Sequence, residues 1–457
     1  MLVGFSVSNY KSFKETQSIS LVASKITRHK KHVVERGNRR ILKSSLIFGA
    51  NASGKSNLVK AIRFSREIIL KGLDNVNLSK THFRIENEMY RQPGVFEYRI
   101  IVDNLEYSYG LAISYAERVI LGEWLLRIDE NGRELYLFNR EFENNISYAE
   151  TELDNQNEVA INKMNFYLES FGVNISEAYK KKTILNDIAL RANDTDGVFY
   201  EIKKVYDWFE SMIILFPSSK YNKLGEVAAV DAKQNIFSLL MKYFDTGIES
   251  VTGAIKQMDF DKILDRAPIP DIERIKIDIS NAIQEKPIMV TVENQVFILR
   301  KDETGNIIYN KLLLNHGNDG DLFEYADESD GTKRLFDLIP LFYEGRDVSL
   351  ILIDEIDRSF HTKLTRSFLE LFYNYMEERE CQLIATTHDS NLLDLELLRQ
   401  DEIWFVERQE DHSSKVYSLN LFKERFDKKI EKEYLLGRYG AIPVFNDTFI
   451  LEGLDEK

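Results

Sequence analysis

The sequence predicts an α/β protein, on three observations. Residues 44–70, "SSLIFGANASGKSNLVKAIRFSREIIL", read as strand, glycine-rich loop and helix. From about 325 to 408, helix and strand alternate through "GTKRLFDLIPLF", "SLILIDE", "TKLTRSFLELFYNYMEE", "QLIATTHD" and "EIWFVER", the pattern of a parallel sheet with helices against it. Between them, from about 150 to 285, the texture is helical, as in "VFYEIKKVYDWFESMIILF" and "KQNIFSLLMKYF".

The elements follow in order. Residues 1 to about 23 alternate polar and apolar, "LVGFSVSNY" then "ETQSISLVA", predicting two half-buried strands. "KITRHKKHVVERGNRRILK", Lys25 to Lys43, carries eight Lys or Arg and one acid, Glu35. It reads either as a solvated loop before the next strand or as a footprint for nucleic acid or an acidic partner. In the helix after the loop, Leu58, Ile62, Ile69 and Leu70 fall roughly on one face. "VFEYRIIVDNLEYSYGLAIS" predicts a hairpin turning at "DN", and "ERVILGEWLLRIDENGRELYLFNRE" another turning at "ENG". In the helical middle no heptad is sustained, so no long coiled-coil arm is expected. "KPIMVTVENQVFILRKDETGNIIYNKLLLN" returns to strands, with a turn at "ETGN".

Composition bounds the function. At 457 residues two or three lobes are expected, and 44% apolar residues with 12% aromatics supply a large core. A net charge of −14 argues against a chain coated with nucleic-acid-binding surface. No apolar run approaches the ~18 residues of a membrane span, and the start "MLVGFSVSNYKSF" lacks the features of a signal peptide. The one cysteine, Cys381, lies in an apolar strand-like run, reads as an inert buried thiol and fits a reducing cytosol. A cytoplasmic chain with no membrane association is expected.

Four short stretches carry chemistry. "GANASGKS" satisfies G-x-x-x-x-G-K-[ST] with Gly49, Gly54, Lys55 and Ser56. Its glycines let backbone N–H groups face phosphate oxygens, and the helix start adds its positive dipole end. Lys55 can neutralise β- and γ-phosphates, and the Ser56 hydroxyl can ligate Mg²⁺. "SLILIDEID" is an apolar strand ending in Asp354 and Glu355, which places carboxylates at the ligand-binding edge of a parallel sheet. Asp354 is expected to hold Mg²⁺ and Glu355 to polarise the attacking water. "LIATTHD" ends another strand at His388, about thirty residues after Glu355, placed to hydrogen-bond a γ-phosphate. In "ESDGTKRLFDLIPLF", Ser329 and Gly331 precede an amphipathic helix with Lys333 and Arg334 in its first turns. This is either an anion site or plain capping by Ser329 or Asp330. His361, in "DRSFHTKLT", reads as an exposed helix-start residue.

Together "GANASGKSN", "SDGT", "LILIDEID" and "TTHD", in that order, resemble the ABC-type ATPases of the SMC, RecF and overcoming-lysogenization-defect group. Asn51 and Asn57 in and after the loop are typical of that group, and "NYKSF" looks like its opening strand turn, where Lys11 approaches the nucleotide. The resemblance covers roughly 1–140 and 300–457. It implies an ABC-type P-loop ATPase head built from both chain ends: 1–145 with the phosphate loop and a β-rich lobe, 146–285 a mainly helical insertion, 286–457 with the signature, acidic strand and switch histidine. It implies ATP and Mg²⁺ as cofactors, with Lys11, Gly49, Asn51, Ser53, Gly54, Lys55, Ser56 and Asn57 on the nucleotide. It further implies an ATP-sandwich homodimer or higher oligomer, in which Ser329, Gly331 and Thr332 close the partner's nucleotide.

Within the group the chain looks most like stand-alone ATPase subunits of bacterial anti-phage, abortive-infection modules such as PARIS, on "FDTGI" at 244–248 and "GRYGAIP" at 437–443. That implies a slow ATPase switch controlling a separate toxic nuclease, triggered by a phage protein or DNA. The alternatives are a RecF-like repair ATPase that binds DNA directly and a scaffold that binds ATP without turnover. Two departures stand out: "SDGT" has one glycine where the SMC signature has a pair, and only Gln92 offers itself as the Mg²⁺-contacting glutamine. Beyond residue 409 mixed-charge helices are expected and no appended nuclease.

Overall fold

Alternating burial on successive residues, as in the opening strand, forces period-two structure with one face inward. The computed structural model describes residues 1–143, 146–153, 158–193, 195–219, 231–256, 288–292, 295–301, 307–342, 348–376 and 379–442. Along the first part run β1 (Leu2–Ser8), β2 (Gln17–Ser20), β3 (Val33–Arg36), β4 (Arg39–Leu42), β5 (Ser44–Phe48) and α1 (Lys55–Lys71). Then come β6 (Gly94–Val102), β7 (Leu105–Ser114), β8 (Val119–Ile128), β9 (Glu134–Glu143), β10 (Ile146–Glu150), α2 (Glu158–Glu169), α3 (Ile184–Arg191), α4 (Gly197–Glu210) and β11 (Ile213–Leu215). The later part holds α5 (Asp231–Tyr243), β12 (Ser250–Lys256), β13 (Ile288–Val292), β14 (Gln295–Lys301), β15 (Ile307–Asn315), β16 (Phe323–Glu324) and α6 (Asp330–Leu338). It ends with β17 (Leu350–Ile353), α7 (Thr362–Tyr375), β18 (Gln382–Thr386), β19 (Ile403–Arg408), β20 (Ser414–Ser418) and α8 (Ile430–Leu435).

Two units emerge. The first comprises Met1–Phe216, Arg346–Ile356 and Met376–Lys457; the second, Pro217–Gly345 and Asp357–Tyr375. The first contains a seven-stranded antiparallel sheet, β10-β9-β8-β7-β6-β1-β2, and a six-stranded sheet, β11-β17-β18-β5-β19-β20. Both hairpins read from the sequence are present. Asp103 and Asn104 turn β6 into β7 with φ of 49° and 65°, the left-handed pair that a two-residue turn requires. Asp129 Oδ1 accepts from Asn131 N and Arg133 N, each at 2.8 Å, and so closes the β8–β9 turn.

The P-loop helix α1 buries Leu58, Val59, Ile62, Ile68 and Ile69; Leu70, placed on that face from the sequence, is half-buried. Each such side chain contributes about 1.5–3 kcal/mol. Its far end is held by polar contacts as well. Thr183 Oγ1 donates to Ile69 O at 2.9 Å, Asn186 Nδ2 to Leu70 O at 2.7 Å, and Arg66 Nε to Phe209 O at 2.6 Å. A buried carboxylate, Glu123, joins the antiparallel sheet to α3. It accepts from Tyr109 Oη at 3.0 Å and from the first amides of α3, Ile184 N at 2.6 Å and Leu185 N at 3.0 Å. Burial pushes the Glu123 carboxyl up, against the pull of the Leu185 and Ile184 amides and the Arg140 charge.

Three expectations are corrected. The units do not follow the boundaries at 145 and 285: α2, α3 and α4 belong to the first unit, and β11 adds a parallel strand beside β17. An apolar run as short as "IIL" cannot be told from a helical segment by periodicity. Residues 257–285 of the expected insertion, the "ETGN" turn at 303–306 and the end of the "GRYGAIP" stretch lie outside the described residues. Beyond residue 409 the chain forms β20, antiparallel to β19, before α8. Third, only residues 25–32 of the basic segment are loop and a short 3-10 turn; residues 33–42 form a β3–β4 hairpin. Arg36 pairs with Glu380, Arg39 Nε lies 2.6 Å from Glu106, and Arg40 donates to Ser24 O at 3.1 Å. The Arg28 guanidinium lies 3.0 Å from the Phe426 ring centroid, and buried Lys43 donates to Met376 O at 2.7 Å. Much of its positive charge is thus engaged within the chain.

The second unit holds the sheet β12-β15-β14-β13, with β16 on β15. Phe237 of α5 packs on Phe336 of α6 at 4.8 Å, and Phe342 on Phe368 of α7 at 5.0 Å.

Candidate nucleotide site

In the six-stranded sheet β5 lies between β18 and β19, and β17 lies beyond β18, all parallel. Parallel strands end at one edge, so the loop after β5, the acidic pair after β17 and the histidine after β18 share that edge.

The loop needs its glycines. Gly49 has φ 152° and Gly54 φ 112°, and Ala52 sits between them at φ 61°. A Cβ on Gly49 would lie 2.3 Å from Val406 O; on Gly54 it would lie 2.2 Å from Ser414 Oγ and 2.7 Å from Ser12 Oγ. Lys55 is buried, and its ammonium donates to Gly49 O at 2.6 Å and Ala50 O at 2.9 Å. Ser53 is buried too, and its Oγ has no hydrogen-bond partner among the described residues. Ser56 is half-buried in the first turn of α1, Asn51 is exposed, and Asn57 Nδ2 donates to Ser12 Oγ at 2.8 Å.

Asp354 is buried at the end of β17, its N–H donating to Leu215 O at 2.8 Å. Glu355 follows at φ 54°, a left-handed conformation that costs a non-glycine residue about 1–3 kcal/mol. Thr386 Oγ1 donates to Asp354 Oδ1 at 2.6 Å and accepts from Glu355 N at 2.8 Å. His388 bridges the groups: Nδ1 lies 3.3 Å from Lys55 Nζ, and Nε2 lies 3.8 Å from Glu355 Oε1. An ammonium can only donate, so His388 Nδ1 is the acceptor in its contact with Lys55, while Nε2 faces Glu355. Lys55, Glu355 and His388 are therefore within reach of one another.

Lys11 lies in the left-handed turn after β1, its N–H donating to Thr81 O at 2.6 Å. Partial burial, and then the charge of Lys60, lower its pKa. Its neighbour Ser12 ties this turn to the loop through Asn57. Gln92 is exposed; its carbonyl accepts from Asn9 Nδ2 at 2.8 Å, which gives the residue a role in bracing the turn. Ser329, Gly331 and Thr332 belong to the second unit. Ser329 caps α6, its Oγ accepting from Thr332 N at 3.2 Å, so the capping alternative is realised. A Cβ on Gly331 would lie 2.8 Å from Ser359 O, so glycine is needed for that close approach. His361 is exposed at the start of α7, its Nδ1 accepting from Lys363 N at 3.2 Å. Burial pushes the Cys381 thiol up to about 12, which keeps it protonated and unreactive.

Sequence reasoning missed Ser12, Thr386 and Ser414. Ser414 N donates to Ser12 O at 2.7 Å, and Ser414 Oγ donates to Ser53 O at 2.5 Å. Thr386 had a signal, a second hydroxyl two residues before the histidine in "TTH". Ser414 had none: its partners are hundreds of residues away in sequence.

The residues fit a magnesium nucleotide. The unpartnered Ser53 Oγ and the loop positions Gly49 and Gly54, which admit no Cβ, suit phosphate oxygens, and the Ser56 hydroxyl with the Asp354 carboxylate is the sparse oxygen set that Mg²⁺ takes alongside substrate phosphates.

The family model described as "AAA domain, putative AbiEii toxin, Type IV TA system" matches residues 44–147 and 126–394. The chain belongs to this AAA-domain family. It therefore carries an ATPase-type domain, and its fold is that of a P-loop ATPase head whose nucleotide sheet is drawn from both chain ends. Among solved structures, an SmcHead bound to the C-winged helix domain of ScpA aligns at 14% identity and TM-score 0.38, over 92% of this chain and 99% of that one. The SMC head domain from Thermotoga maritima aligns at 11% identity and TM-score 0.35, over 91% and 98%. An Smc head with an extended coiled coil, bound to the C-terminal domain of ScpA derived from Pyrococcus furiosus, aligns at 14% and 0.35, over 96% and 99%. No curated protein matches the sequence. Among the described residues of this AAA-domain chain, no helix is long and apolar enough to cross a membrane.

Proposed function

We propose that the chain is an ATP-hydrolysing dimeric switch of the cytoplasm that controls a separate toxic nuclease in an anti-phage module of PARIS-like character. The observation that carries the hydrolytic part is the meeting of Lys55, Asp354, Glu355 and His388 at one edge of the parallel sheet. Lys55 exchanges the Gly49 and Ala50 carbonyls for β- and γ-phosphate oxygens. Asn51, Ser53 and the loop amides hold the phosphates, while Lys11 approaches the nucleotide from the opening turn. Ser56 and Asp354 would hold Mg²⁺, which would supply charge neutralisation of the phosphates. Glu355 accepts the proton of the attacking water, and His388 hydrogen-bonds the γ-phosphate.

The switch needs two chains. Ser329, Gly331 and Thr332 at the start of α6 close over the partner's nucleotide, so ATP favours the closed dimer by its differential affinity for that state. The family's description, with its toxin and Type IV TA system, supports a place in a toxic defence module. The trigger is a phage protein or DNA. Direct RecF-like DNA binding is disfavoured by the internal pairing of Arg36 and Arg39.

The test is Mg²⁺-dependent ATP hydrolysis by the purified chain, followed by mixing. Chains carrying Lys55→Ala and chains carrying Ser329→Arg are each expected to be inactive. Mixed, they leave one composite site of each heterodimer wild type, so partial hydrolysis returns. Ser329→Asp is the companion variant: it keeps the α6 cap but repels phosphate, and it should behave as Ser329→Arg does. A Ser329-to-loop crosslink formed only within one chain would refute the shared site.

A further inference from the structure

A single hydroxyl holds both members of the acidic pair. Thr386, fully buried at the end of β18, gives its proton to Asp354 Oδ1 at 2.6 Å and takes the Glu355 N–H at 2.8 Å. One residue thereby uses donor and acceptor capacity on two successive groups of the neighbouring strand. Its backbone joins in, since Thr386 O accepts from Ile356 N at 3.0 Å. The three residues of β18 immediately before it, Leu383, Ile384 and Ala385, are buried and apolar. A hydroxyl among them is costly to bury unless it is hydrogen-bonded, and these two bonds satisfy it.

We infer that Thr386 is the positioning residue of the acidic pair, orienting the Asp354 carboxylate toward the metal position and holding Glu355 in its left-handed turn. The inference rests on the ATPase reading above. The bond to Oδ1 restrains the carboxylate's rotation. The bond from Glu355 N stabilises a backbone conformation that glutamate does not choose by itself, and that conformation aims the Glu355 side chain to within 3.8 Å of His388. Because His388 follows two residues after Thr386, any movement of that segment on phosphate binding reaches Asp354 and Glu355 through the same hydroxyl.

The test compares Thr386→Val, which keeps volume and removes the hydroxyl, with Thr386→Ser, which keeps the hydroxyl. Two readouts are taken on the full chain: steady-state ATP hydrolysis, and Mn²⁺ retention by electron paramagnetic resonance with a non-hydrolysable ATP analogue. Thr386→Val should lower kcat and weaken Mn²⁺ retention by about 10–100-fold each, the usual loss when an outer partner of a metal ligand is removed, with little change in KM for ATP. Thr386→Ser should stay within about twofold of wild type in both, since the hydrogen-bonding group is retained. If Thr386→Val equals wild type in both readouts, or if Thr386→Ser falls as far as Val does, the inference is overturned. Should the valine variant not fold, Thr386→Ala against Thr386→Ser decides, because both lack the methyl and only one lacks the hydroxyl. Wild-type protein that neither hydrolyses ATP nor retains Mn²⁺ with the analogue defeats the ATPase reading itself.

Discussion

Lys55→Ala should abolish measurable ATP binding. The side chain is buried with its ammonium against the loop carbonyls, and the described loop, residues 49–54, contains no other cation. Charge-assisted hydrogen bonds to phosphate are each worth about 1.5–3 kcal/mol, so losing two of them weakens binding by ~100-fold or more. The substitution also strips the Gly49 and Ala50 carbonyls of a donor, so melting temperature must be measured beside affinity. A folded variant that binds labelled ATP as tightly as wild type removes the loop from the nucleotide site.

Glu355→Gln should separate binding from turnover. The amide keeps the side chain's size but cannot accept the water's proton, and a general base contributes about 10²–10⁴ in rate. ATP affinity should stay within a few-fold of wild type, and the closed dimer should live longer. Left-handed backbone at residue 355 does not exclude glutamine, since the Thr386 bond that holds it comes from the main chain. Single-turnover hydrolysis read by phosphate release is the direct measurement. Wild-type turnover would transfer the base's role to Asp354 or Asp357.

Much of this was legible because the chemistry is local. Gly49, Gly54, Lys55 and Ser56 lie within eight residues, and their backbone demands are written in their own types. The apolar run Leu350–Ile353 with its acidic end, and "TTHD" after the next strand, could be placed at one sheet edge by the parallel pattern alone. What stayed hidden depends on partners far apart in the chain. Ser414 supports the loop through Ser12 and Ser53, and nothing in "SSKVYS" announces it. Strand β11 carries three residues, too few for a period to show. The basic run "KITRHKKHVVERGNRRILK" looked like one continuous charge, yet Arg36 and Arg39 are matched by Glu380 and Glu106, acids that no local reading pairs with them. Ser329 had two physical readings in sequence, and the cap is the one that a single chain can satisfy.

The order of strands in the nucleotide sheet also governs when the site can first exist. β5 emerges early in synthesis, yet both its neighbours, β18 and β19, come from the last quarter of the chain. Gln382, at the start of β18, bonds Leu42 across a separation of 340 residues. At roughly 5–20 residues per second, a ribosome takes about 17–70 s to make that stretch. Until β18 emerges, the glycine loop has neither flanking strand, and His388 and Ser414 are not yet made. A nascent chain therefore lacks the assembled sheet edge on which the proposed ATP site depends. For the toxic switch proposed above, late assembly is a safeguard that costs no extra residue.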